Sequence, residues 1–222
     1  EINQPLSLVL WNSQLLLEQM QVQPETTLPA GWREQIQCIS REAERVVTTI
    51  ETMRTLLRNV QTEPQRLDLR EVASSALLYV RSSGLDPGLM IDAQGLTTTD
   101  EPAWIAGDAV QIQIAIVNLL RNAAEALAEA ATAAPWIGIS LVRDGSTWTL
   151  SVADNGPGFP RTFNPEAPLE STRAGGSGVG LFVVRTTMAN HAGQASFGRS
   201  SHGGGLVTLR FTSTPNIPTI GD

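Results

Sequence analysis

Four stretches combine residue types and spacings that suit chemistry. In Asn118-Leu119-Leu120-Arg121-Asn122-Ala123, two carboxamides stand four positions apart. In a helix that spacing puts both on one face. An amide oxygen suits a hard cation such as Mg2+, and an amide binds phosphate without adding negative charge. Alone, such a pair more often marks an exposed helix surface, but asparagine is a weak helix former and two in mid-helix call for a reason. In Val152-Ala153-Asp154-Asn155-Gly156-Pro157-Gly158-Phe159, a carboxylate at a strand end meets a glycine-rich turn. Such a carboxylate can accept hydrogen bonds from an exocyclic amine, and the glycines let backbone approach a flat ligand. The alternative is an Asn-Gly hairpin turn, which Gly-Pro-Gly makes less attractive. Gly175-Gly176-Ser177-Gly178-Val179-Gly180-Leu181 runs straight into an apolar stretch. Backbone amides at a helix start form an anion site, although by itself the run reads more readily as a flexible linker. The fourth stretch is Glu1-Ile2-Asn3-Gln4-Pro5-Leu6, where Pro5 either kinks a helix or opens its first turn.

The elements that must hold these residues follow from the apolar periodicity. Ile36, Ile39, Ala43, Val46, Ile50, Met53, Leu57 and Val60 alternate three- and four-residue steps, as a heptad seam does. Ile2, Leu6, Val9, Ser13, Leu16 and Met20 repeat the pattern, widened by Leu8, Leu10, Leu15 and Leu17. Between them lie Pro24, Pro29 and Gly31, the mark of an antiparallel helical hairpin. So wide an apolar stripe predicts two hairpins pairing into a four-helix bundle, the alternative being a hairpin packed on its own downstream domain. Pro64 ends the second helix and puts a boundary near residues 62–68. Beyond it the pattern predicts helices over 70–83, 108–131 (with Asp108 as N-cap) and 178–191. Strands are expected over 89–93, 103–106, 136–143, 147–153, 194–199 and 205–212, with an Asp144-Gly145 hairpin. This order predicts a two-layer α/β sandwich with a mixed or antiparallel sheet and helices on one face. Residues 214–222 read as a loose tail.

Composition removes other chemistries. All 15 basic residues are arginine, so a Walker phosphate loop, a protein-kinase lysine and a Schiff base are excluded. One cysteine, Cys38, permits neither an intrachain disulfide nor a cysteine zinc site, and two histidines make a multi-histidine metal site improbable. A net charge of −7 argues against nucleic acid and against an anionic membrane surface. No apolar run approaches the roughly 20 residues of a transmembrane helix. A first residue of Glu rather than Met suggests a piece of something longer.

Taken in order, the Asn box (Asn118 to Asn122), Asp-x-Gly-x-Gly-Phe (Asp154 to Phe159) and Gly-x-Gly-x-Gly-Leu (Gly176 to Leu181) resemble the catalytic domain of sensor histidine kinases. The preceding hairpin resembles their dimerisation and phosphotransfer domain, and Glu1 to Leu6 resembles their His-box, beginning one residue after the histidine. The resemblance covers residues 1 to about 213. It implies an α+β chain, with the hairpin in 1–63 and a histidine-kinase-type ATP-binding domain in 68–213. It implies ATP and Mg2+ as cofactors, a homodimer, a response-regulator receiver domain as partner, and a cytoplasmic fragment without membrane contact. Asn122 would hold the metal, with Asn118 beside it toward the phosphates. Asp154 would accept the adenine amino group, Gly156 and Gly158 would shape its pocket, and Gly176, Gly178, Gly180 and Leu181 would open the phosphate-receiving helix. Residues 160–176 would form the lid over ATP, and Arg173 or Arg121 would supply a cation for phosphoryl transfer. Glu1 would help take a proton from the acceptor imidazole. Gln4 stands where many relatives have Thr or Asn, a residue tied to dephosphorylating the partner. Gly205 stands where many have Thr near the adenine, so one polar contact is expected to be missing.

The resemblance also implies a protein-histidine kinase that labels a histidine just before Glu1 and passes the phosphate to a receiver aspartate. With no histidine ahead of Glu1, the chain is expected not to label itself. The alternatives are an ATP-binding dimerisation module, or another ATPase of the same superfamily, which usually has Glu where Asn118 stands. His191 is expected to cap a helix C-terminus with Gly193 nearby, and His202 to be a solvated turn residue.

Overall fold

The computed structural model describes Ile36, Ile39 and residues 64–82, 88–96, 101–164 and 179–214. The chain divides into two compact units, residues 1–57 and 58–222. In the first, only Ile36 and Ile39 are described. Both are helical; Ile36 is buried and Ile39 is 52% exposed. The hairpin and its seam otherwise lie outside the described residues.

The second unit is an α+β domain. Its elements run β1 (Gln65–Asp68), α1 (Leu69–Ser82), β2 (Met90–Asp92), a 3-10 turn (Gln94–Leu96), β3 (Trp104–Gly107), α2 (Ala109–Glu129), β4 (Trp136–Asp144), β5 (Thr147–Asp154), α3 (Val179–Asn190), β6 (Gln194–Arg199) and β7 (Gly205–Thr212). Five strands form a mixed sheet in the order β2-β4-β5-β7-β6. β2 runs parallel to β4, and the other pairs are antiparallel. β1 and β3 form a separate antiparallel pair. β1 was not expected, and it lies in the stretch read as a domain boundary. Its sequence, Gln-Arg-Leu-Asp, holds one apolar side chain, so only the ladder to β3 makes it a strand.

The core follows from two periodicities. On β4, Ile137, Ile139 and Leu141 are buried, and on β5 Trp148, Leu150 and Val152, every second residue in each case. On α2 the buried set is Ile112, Ala115, Ile116, Leu119, Leu120, Ala123 and Leu127, spaced by threes and fours. These stripes meet in one cluster, joined by Leu69, Val72, Ala76 and Val80 of α1 and Val184 and Met188 of α3. Burying each larger side chain stabilises the fold by about 1.5–3 kcal/mol.

The helix starts are fixed by aspartates. Asp108 is extended (φ −103°, ψ 111°), and its Oδ1 accepts from the N–H groups of Val110 (2.9 Å) and Gln111 (3.1 Å), as the sequence suggests. Asp68 does the same for α1, accepting from Arg70 N–H at 2.9 Å, and its Oδ1 also takes Ala103 N–H at 3.0 Å. The Asp144-Gly145 hairpin is present, with Gly145 at φ +57°.

Candidate nucleotide site

Asn118 and Asn122 lie half-buried on the flank of the α2 apolar stripe, one turn apart. Asn118 Nδ2 donates to Ile114 O at 2.9 Å, which leaves Oδ1 on the other side of the amide. That oxygen faces the start of α3. A Cβ built on Gly180 would stand 3.4 Å from Asn118 Oδ1 and 3.2 and 3.0 Å from Asn122 Oδ1 and Nδ2. Both amides therefore converge on the backbone of Gly180, where a Cβ would crowd them by a few tenths of an ångström. Two neutral oxygen donors beside a helix N-terminus are a donor set for a hard cation and its phosphates. Leu181 is half-buried and packs against the core. Arg121 is also half-buried, but it projects about 100° round α2 from Asn122.

Asp154 ends β5. Its Oδ1 accepts from Gly156 N–H at 2.8 Å and from Gly205 N–H at 3.0 Å. Among the described residues, no hydrogen bond reaches Oδ2. Gly158 sits at φ +74°, and a Cβ there would lie 3.2 Å from Gly204 O. Gly204 is tighter: a Cβ would overlap Asp154 Oδ1 and the Asp154 carbonyl and meet Gly156 N at 2.5 Å. The turns after β5 and before β7 thus press backbone against backbone around one carboxylate. A Cβ at Gly205 would lie 2.8 Å from Asp154 Oδ2, so a side chain there would push the carboxylate aside, while the main-chain N–H of Gly205 binds its other oxygen. Gly156 packs on Leu127, which brings the turn onto α2, the helix of the two asparagines.

Beside this turn lies an aromatic wall that the sequence reading missed. Phe159 stacks on Phe163 (4.7 Å between centroids), and Phe197 of β6 meets both edge-on at 5.8 and 5.6 Å. The signal was faint: Phe159 belongs to the motif, but Phe163 and Phe197 are 34 residues apart in the sequence. Asn155 is structural. Its Oδ1 accepts from Trp136 N–H (2.8 Å) and its Nδ2 donates to Ala134 O (3.0 Å), so Asn-Gly here is no hairpin turn.

His191 lies at the end of α3 as expected, with Nδ1 2.7 Å from Thr187 O, but Nε2 also accepts Asp108 N–H at 2.8 Å. The left-handed residue there is Ala192 (φ +48°) rather than Gly193, where a Cβ would meet Arg210 O at 2.7 Å. His202 is exposed but stacks on Trp136 at 4.1 Å, so it is more than a solvated turn residue. Glu1, Gln4, Arg173, Gly176 and Gly178 lie outside the described residues, as does most of the expected lid. Among the described residues, no group of three or more His, Cys, Asp or Glu side chains could hold a metal, and no helix is long and apolar enough to cross a membrane.

Residues 107–215 match the family described as histidine kinase-, DNA gyrase B-, and HSP90-like ATPase. The whole chain is 29% identical to the C4-dicarboxylate transport sensor protein DctS of Rhodobacter capsulatus, covering 33% of it. It is 28% identical to the sensor histidine kinase TmoS of Ectopseudomonas mendocina over 87% of this chain and 20% of that one. It is 27% identical to the sensor protein kinase PilS of Pseudomonas aeruginosa over 95% and 38%. The chain thus spans roughly a fifth to two fifths of these relatives. Among solved structures, the mycobacterial sensor histidine kinase MprB superposes with a TM-score of 0.56 at 22% identity, over 69% of this chain and 99% of that one. Full-length ShkA, solved with AMPPNP, superposes with a TM-score of 0.59 at 20% identity, over 96% and 44%. The motif order, the mixed sheet and these likenesses agree: residues 107–215 belong to the histidine kinase-, DNA gyrase B- and HSP90-like ATPases, and the chain carries the ATPase domain of a sensor histidine kinase.

Proposed function

We propose that the chain is the core of an ATP-dependent protein-histidine kinase, which labels a histidine directly ahead of Glu1 and passes the phosphate to a receiver-domain aspartate. The observation that carries this reading is the convergence of Asn118 and Asn122 on Gly180, with Asp154 held by two backbone N–H groups in a turn that packs on Leu127 of the same helix. Asn122 holds Mg2+ and Asn118 turns its oxygen toward the phosphates. Asp154 Oδ2 accepts the adenine amino group, with Gly156 and Gly158 at its edge. Gly176, Gly178 and Gly180 present backbone N–H groups to the phosphates, and Arg173 balances their charge. Mg·ATP supplies the phosphoryl group and the charge neutralisation that transfer requires. Glu1 draws the proton from the acceptor imidazole, and Gln4 orients a water that attacks the partner's aspartyl phosphate and releases inorganic phosphate.

The domains are 1–63 for dimerisation and phosphotransfer, 68–213 for ATP binding, and 214–222 as a tail. Residues 1–63 pair two copies into a four-helix bundle, in keeping with the half-exposed seam residue Ile39. Light scattering that gives a monomer mass at tens of micromolar counts against the pairing. Calorimetric titration with ATP tests the site. Asn122→Ala is expected to lose the Mg2+-dependent part of the affinity, about tenfold or more. An unchanged affinity for Mg·ATP overturns the assignment.

A further inference from the structure

Residues 201–205 read Ser-His-Gly-Gly-Gly. The turn they form carries the N–H that holds Asp154, yet three consecutive glycines give it no side chain of its own to fix it. Glycine loses more conformational freedom on ordering than any other residue, and Gly203 sits at φ +97°. Internal bonds close the turn: Ser200 N–H donates to Gly204 O (2.9 Å), Gly203 N–H to Ser200 O (3.0 Å) and His202 N–H to Ser200 Oγ (3.0 Å). These three bonds stay within the turn. Gly205 N–H ties its end to Asp154 of β5, and the ring stack ties its tip to β4. His202 lies on Trp136 with centroids 4.1 Å apart and planes 33° from parallel.

Trp136 is itself held. Its N–H donates to Asn155 Oδ1 at 2.8 Å, and its carbonyl accepts Asn155 N–H at 3.2 Å. Its indole lies over Gly138, where a Cβ would meet ring atom Cζ2 at 2.6 Å. A glycine inside a strand marks such a close approach. The contacts form a closed circuit: Trp136 to Asn155, Asn155 to its neighbour Asp154, Asp154 to Gly205, and the turn back to Trp136 through His202.

We propose that His202 is a positioning residue for recognition of the nucleotide base: stacked on Trp136, it fixes the Gly203–Gly205 turn and thereby the carboxylate of Asp154. This rests on the reading that Asp154 accepts the adenine amino group. The base carries specificity through that amine, since inosine presents an oxygen to the carboxylate instead. A looser turn lets Asp154 shift, and the preference for an amine falls with the affinity.

The experiment is calorimetric titration of the chain with Mg·ATP and Mg·ITP, for wild type, His202→Ala, His202→Phe, Trp136→Ala and the double alanine variant. His202→Ala is expected to weaken ATP about three- to tenfold and to narrow the ATP-over-ITP ratio. His202→Phe keeps a ring on Trp136 and restores both. The double variant loses no more than Trp136→Ala alone, because without the indole His202 has no ring contact left to lose. Thermal melts report folding separately, and a general loss of folded protein leaves the ATP-over-ITP ratio unchanged. An unaltered ratio in His202→Ala overturns the proposal. Wild type that binds ATP and ITP alike overturns the reading of Asp154 itself, and this inference with it.

Discussion

His191 Nε2 accepts the backbone N–H of Asp108 at 2.8 Å, across 83 residues of chain. The ring's other nitrogen stands 2.7 Å from Thr187 O and, facing a carbonyl, carries the proton. Both nitrogens are thus used, in the neutral form, to tie the end of α3 to the start of α2. Asn190 Nδ2 adds a second tie to Gln111 Oε1 at 3.1 Å. These helices are the two walls of the proposed phosphate site, bearing Gly180 on one side and Asn118 and Asn122 on the other.

Replacing His191 by Phe keeps a ring but leaves Asp108 N–H without its partner in a half-buried place. The expected loss is about 1–3 kcal/mol of stability, read as a lower denaturant midpoint at unchanged slope. Gly107→Ala should act on the same joint, because a Cβ there would meet His191 Cδ2 at 2.5 Å and Ile112 Cδ1 at 3.0 Å. Variants with wild-type midpoints would show that the joint contributes nothing.

Asp154→Asn separates architecture from recognition. An asparagine Oδ1 still accepts from Gly156 and Gly205, so the two turns stay in place. Its Nδ2 takes the position of Oδ2 and offers a donor to an amine that is also a donor. Adenosine and Mg·ATP should weaken together, by about tenfold or more, while the melting temperature changes little. Equal affinity for adenosine in the variant and wild type would remove Asp154 from base recognition.

Gly180→Ala should move stability and binding in opposite directions. Alanine favours helix over glycine by up to about 1 kcal/mol, so the fold should be as stable or more so. The added Cβ crowds Asn122 at 3.0 Å and displaces its amide. Mg2+-dependent nucleotide binding should fall several-fold while adenosine binding holds. A variant that binds Mg·ATP as well as wild type would show that the closeness of α3 to Asn122 is not needed.

The parts of the fold legible in the sequence were those set by local pattern. The apolar spacing of Ile112 to Leu127 and the cap at Asp108 placed α2 within two residues at either end, and the alternation of β5 led to Asp154 as a strand end. β1 was not legible, because a four-residue segment with only Leu67 apolar becomes a strand through a partner some 40 residues away. Asp154 could be singled out by its glycines, but not the fact that Gly205 N–H completes its shell from 51 residues downstream. The reading of the two histidines stopped short in the same way: His191 does cap its helix at the Thr187 carbonyl, but its second contact was missed, as was the ring contact of His202. Each was read from its neighbours in the chain, whereas His191 and His202 act on Asp108 and Trp136, which only the folded domain brings near.

The phosphoacceptor reading leads to the last prediction. The Asn118, Asn122, Asp154 and Gly180 cluster lies more than a hundred residues beyond Glu1 and is built from α2, β5 and α3. Nucleotide binding should therefore not depend on what precedes Glu1, while labelling should. Two versions of the chain, one with a histidine joined ahead of Glu1 and one without, should bind Mg·ATP equally when titrated. Incubated with labelled ATP and Mg2+, only the version with the histidine should take up phosphate, as an acid-labile, base-stable phosphoramidate. Neither His191 nor His202 is a plausible substitute, since the first uses both ring nitrogens inside the domain and the second is stacked on Trp136. Equal label in both versions would place the acceptor elsewhere and overturn the reading of the first helix. Binding without label in either version would keep the ATP site and reject the kinase.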